Sequence, residues 1–96
     1  MPTMDFEIYL PTEVGAEERR AALAELVRWE DRAGIDMAVV MPLPTPAPDN
    51  RALVETLAGD PRWIPCCQVD PRAPDAAAEV RRAVTEFGCR MLKLMP

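Results

Sequence analysis

The side chains able to do chemistry in this sequence gather on short apolar runs. Near the N-terminus, MDFEIYL (4–10) alternates strictly, which sets Asp5, Glu7 and Tyr9 on one side of an extended segment and Phe6, Ile8 and Leu10 on the other. Two carboxylates and a phenol on one side offer proton acceptors, a proton donor and oxygen ligands for a cation. Further along, WIPCCQVD (63–70) places Cys66, Gln68 and Asp70 on one side and Cys67 and Val69 on the other, and RMLKLM (90–95) carries Lys93. A lysine inside such a run needs a counter-charge, and Asp70 or Glu7 is the expected partner. Cys66, Cys67 and Cys89 are odd in number and show no C-x-x-C spacing, so they are expected to be buried free thiols rather than a disulfide framework or a zinc ribbon.

The elements that must position these groups are punctuated by glycine and proline. In GIDMAVVMPLPTPAP (34–48), residues 37–43 form a nearly continuous apolar run, as expected of an interior parallel strand covered on both faces. Gly34 before it fits the end of a helix and Pro44 after it cannot extend a ladder. Helix-like segments likewise stop at Gly59 and Gly88, and strand-like segments stop at Pro11, Pro71 and Pro96. Residues 16–33 carry a stripe of Ala22, Leu23, Leu26, Val27, Trp29 and Ala33 at helical spacing, with mixed charge on the outer face. A short helix capped by Asp49 or Asn50 turns Leu53, Val54 and Leu57 inward. A third opens at Pro74 and turns Ala76, Val80, Ala83, Val84 and Phe87 inward.

The result is four strands alternating with three helices at the interval of one strand plus one crossover helix. The fold class is therefore α/β, a parallel β/α repeat forming half of a TIM (β/α)8 barrel, with residues 1–96 as an N-terminal half-barrel. An open doubly wound sheet competes, but no glycine-rich phosphate loop follows the first strand. In a barrel the C-terminal strand ends collect the chemistry, which makes Gln68 and Asp70 candidate substrate contacts at the mouth and points Asp5, Glu7 and Tyr9 inward. The strand containing Lys93 lacks a covering helix, so the chain is expected to need the rest of a barrel or a second copy. The Pro-rich segment PLPTPAPDN (42–50) is expected to run as a stiff loop over the mouth, and Met41 and Met95 are expected to pack.

Composition narrows the partners. A net charge of −5 without a basic cluster argues against nucleic acid. No apolar run approaches the roughly 20 residues of a membrane span, and no signal-like leader is present, so a cytoplasmic location is expected.

These segments resemble the N-terminal half of the amidohydrolase-related (β/α)8 barrel family of metal-dependent hydrolases and decarboxylases. The likeness rests on MDFEIYL, AGIDMAVVMPLP, the block DNRALVETLAGDPRWIPCCQVDPRAPDAAAEV and EFGCRMLKLMP. It implies a divalent metal, zinc or similar, and a small-molecule substrate. The family's first strand carries D-x-H-x-H; here Asp5 matches while Glu7 and Tyr9 stand in the histidine positions, and the chain contains no histidine. Glu7 is then the candidate metal ligand. Lys93 occupies the place where some relatives carry a carboxylated lysine, and it joins Gln68 and Asp70 as a candidate substrate contact. Two functions follow: a fragment of a metal-dependent hydrolase or decarboxylase, or a degenerate, non-catalytic barrel that binds a small molecule or a partner subunit.

Overall fold

The computed structural model describes residues 3–45 and 48–94. The chain runs β1 (Met4–Leu10), α1 (Ala16–Ala33), β2 (Met37–Pro42), α2 (Asn50–Leu57), β3 (Trp63–Val69), α3 (Ala76–Thr85) and β4 (Met91–Leu94). The strands form one parallel sheet in the order β1-β2-β3-β4. Each crossover steps to the next strand in the same direction. Because β/α/β crossovers are right-handed, all three helices must then lie on one face, whereas a doubly wound sheet reverses direction and covers both.

Side-chain packing agrees. Ile8, Leu10, Ala38, Val40 and Trp63 on the sheet meet Leu53 and Leu57 of α2 and Ala22, Leu23, Leu26 and Val27 of α1. Cys67, Cys89, Ala83, Val54 and Phe87 continue the same layer under α3. The opposite face carries a smaller apolar cluster of Val39, Met41 and Cys66 with Tyr9 and Ile64 packed against it, and no helix among the described residues.

Local chemistry explains the element ends. Gly34 takes φ 75°, and its N–H and that of Ile35 donate to the Asp31 and Glu30 carbonyls, closing α1 where an L side chain would be strained. The Asp49 carboxylate caps α2 by accepting from the Ala52 N–H at 2.9 Å. Residue 65 is a proline, and the β2–β3 ladder stops there. Beyond it the Asn50 side-chain amide takes over, donating to the Gln68 carbonyl and accepting from the Gln68 N–H, both at 2.9 Å. A buried side-chain amide thus satisfies strand backbone that β2 no longer reaches.

Several expectations change. Cys67 and Cys89 form a disulfide and are not free thiols; Cys66 alone is free. The pairing follows from topology: Cys67 lies opposite Leu92 in the β3–β4 ladder, and the turn at Gly88 returns Cys89 under α3 beside it. Spacing rules for adjacent cysteines do not see a pair separated by a whole crossover. Disulfides persist in oxidising compartments, so this bond and the expected cytoplasmic location pull in opposite directions. β2 ends at Pro42, leaving Leu43 exposed, and α3 starts at Ala76 with Pro74 and Asp75 in the preceding turn. Trp29, Ala33 and Val84, assigned to inner stripes, are exposed, while Glu30 is buried. The stop expected at Met95-Pro96, the packing of Met95, and Pro46 and Ala47 of the loop lie outside the described residues. No helix is long and apolar enough to cross a membrane among the described residues.

Candidate binding site on the helix-free face

The expected grouping of Asp5, Glu7 and Tyr9 is broken by one extra residue in β1. Asp5 pairs with Ala38 and Ile8 with Val40, so Phe6 and Glu7 together stand opposite Val39. Such a bulge inverts the alternation. Asp5 is thereby carried to the helix side, beside Glu30 of α1, and Phe6 is left 66% exposed. Burial, followed by the Asp5 carboxylate, pushes the Glu30 carboxyl above its ordinary range. The Asp5 carboxylate also accepts from the Glu7 N–H at 3.1 Å, which stabilises the bulge locally. Glu7 and Tyr9 remain together on the helix-free face.

Lys93 meets them there. Its Nζ donates to the Tyr9 hydroxyl at 3.1 Å, and that hydroxyl donates to Glu7 Oε1 at 2.7 Å. The ammonium is 3.6 Å from the same carboxylate oxygen and 5.1 Å from the Tyr9 ring centre. β1 and β4 are the two edge strands, about 14 Å apart across three flat strand spacings. Side chains stand roughly perpendicular to a sheet, so a 3.1 Å contact between them fits a sheet that curls toward this face, its concave side. Tyr9, Gln68 and Lys93 all lie in the second half of their strands, so the cluster sits toward the C-terminal ends.

The electrostatics follow from the contacts. The Tyr9 hydroxyl, then the Lys93 charge, holds the Glu7 carboxyl below its ordinary range. The hydrogen bond to Tyr9, aided by Glu7, raises Lys93 above its ordinary value. Lys93 is therefore an ammonium at neutral pH, unsuited to acting as a nucleophile or to carrying a carboxyl group, since both need the free amine. Burial pushes the Cys66 thiol up, so it too is a poor nucleophile.

Of the expected substrate contacts, Gln68 and Lys93 come together: they are register partners in the β3–β4 ladder. Gln68 is 2% exposed, and neither its Nε2 nor its Oε1 has a hydrogen-bond partner among the described residues. Asp70 is spent elsewhere. Its Oδ1 accepts from the Arg72 N–H at 2.9 Å and pairs with the Arg72 guanidinium at 3.4 Å, shaping the turn after β3. Lys93 chooses Glu7 over Asp70. The sequence offered Asn50 only as an alternative helix cap and gave no sign of the backbone-mimicking pair by which it fixes the Gln68 strand end.

A divalent metal does not fit the residues present. Such an ion needs several converging anionic or imidazole donors. Glu7 is the single carboxylate in the cluster, its Oε1 is already engaged by Tyr9, and an ammonium stands beside it where a cation would be repelled. No group of three or more His, Cys, Asp or Glu side chains converges among the described residues. Comparison with protein-family models, with curated proteins and with solved structures gives no match.

Proposed function

We propose that this chain is a singly wound half of a (β/α)8-type barrel, amidohydrolase-like in layout, that binds a small polar molecule over its concave face without a resident metal. The observation that carries this reading is the Lys93–Tyr9–Glu7 contact across the two edge strands, with the buried, unpartnered Gln68 amide as the neighbour of Lys93. Buried polar groups are nearly always paired, so an orphan amide beside a charged cluster is a natural ligand contact. The unpaired outer edges of β1 and β4, and Leu92 and Leu94 exposed on the helix side of β4, support completion by further barrel strands or a second copy. The hydrolase or decarboxylase alternative requires metal ligands beyond those in this cluster.

Elemental analysis separates the two. Protein purified without chelator is expected to hold no stoichiometric divalent metal, and chelation is expected to leave its melting temperature unchanged. About one metal per chain, lost in Glu7→Ala, overturns the metal-free reading and restores Glu7 as a ligand.

A further inference from the structure

We infer that Lys93 and Tyr9 form a carboxylate-binding subsite that Glu7 occupies as a tethered surrogate, displaced when the carboxylate of a small organic acid enters. The inference rests on the metal-free binding reading and gives it a ligand class. The cluster itself displays the interaction: a carboxylate oxygen accepts from the Tyr9 hydroxyl at 2.7 Å and faces the Lys93 ammonium at 3.6 Å. The carboxylate is loosely placed, because the Glu7 side chain is 62% exposed while that of Lys93 is 30% exposed. Glu7 can rotate into solvent at little cost, whereas its two partners stay fixed to the sheet.

The orphan amide supplies an independent observation. Gln68 adjoins Lys93 in the ladder, on the same face, buried and without a partner among the described residues. A carboxylate has two oxygens, and Glu7 engages these donors through one of them. An untethered acid can turn its second oxygen toward the Gln68 Nε2 donor, with which Glu7 makes no hydrogen bond. The charge count selects a monoanion. One ammonium balances one negative charge, and the displaced Glu7 remains nearby, so a dianion such as phosphate meets net repulsion.

The test is an NMR titration of the full chain with sodium acetate and, separately, inorganic phosphate at constant ionic strength. It follows the Tyr9 ring, the Gln68 side-chain amide and the Lys93 backbone amide. Acetate is expected to shift all three signals. Glu7→Gln, which removes the tethered competitor, is expected to tighten acetate binding at least about fivefold. Glu18→Gln, the same charge change on the exposed face of α1, should not tighten it. Adding Lys93→Met to Glu7→Gln should abolish the shifts. Acetate binding that Glu7→Gln weakens or leaves unchanged, or phosphate binding more tightly at these signals, overturns the inference. If the protein is metal-free and Glu7→Gln still fails to tighten acetate, the carboxylate assignment falls while the metal-free reading stands; a stoichiometric metal removes both.

Discussion

The two faces of the sheet divide the labour of this molecule. On the convex face three helices close an apolar layer in which Leu10, Ala38, Val40, Leu53, Cys67 and Ala83 are fully buried. On the concave face a small apolar patch of Val39, Met41 and Cys66 is ringed by Tyr9, Lys93, Glu7 and Gln68, and its polar contacts join strands at opposite edges. Hydrophobic burial is non-directional and tolerates any packing that removes apolar area from water, so the convex face sets stability. Hydrogen bonds and charge pairs need fixed geometry, and the concave face takes that geometry from strands that the convex core holds in register. Stability and chemistry are thus placed on opposite sides of the same strands.

Truncation tests this division most severely. Leu53→Ala, at a position of zero exposure on the convex side, is expected to cost about 4 kcal/mol and lower the melting temperature by roughly 20 °C. Lys93→Met on the concave side should move it by only about 5 °C or less, the scale of partly exposed pairs. Thermal melts of the two variants measure the contrast, and equal losses would break it.

Reduction of the Cys67–Cys89 bond comes next. It closes a loop of sequence separation 22 on the convex side, and its loss is expected to cost about 3 kcal/mol in urea unfolding with and without dithiothreitol. Unfolding curves that superimpose would mean that the thiols are not bonded in the protein. The smallest effect sharpens the comparison rather than tests it. Glu30 is a carboxyl buried on the convex side, where burial and Asp5 raise its pKa above the ordinary 4.5. The folded state therefore holds the proton more tightly than the unfolded state, and stability falls as pH rises through the raised value. Glu30→Gln is expected to melt higher than the parent at pH 7 and to lose that advantage below pH 4.5. An advantage that grows in acid would contradict this sign.

The sequence by itself determined the repeat. The bounds of β1 and α1, the glycine at the end of α1, the Asp49 cap and the inward Leu53 and Leu57 are properties of contiguous residues, written in periods of two and 3.6 and in glycine and proline punctuation. It also marked Asp5, Glu7, Tyr9, Gln68, Asp70 and Lys93 as the polar groups of the strands and their ends. Only the tertiary structure decided which of them meet. One extra residue in β1 sends Asp5 to the helices, since a single-residue slip exchanges the faces of a strand. The winding of successive crossovers brings Cys67 to Cys89, Asn50 to the Gln68 backbone, and Lys93 across the sheet to Tyr9 and Glu7 rather than to Asp70. Each of these pairs is separated by a whole β/α unit or more, or balanced on one residue of register, so local periodicity carries no record of it. The curvature of the assembled sheet does.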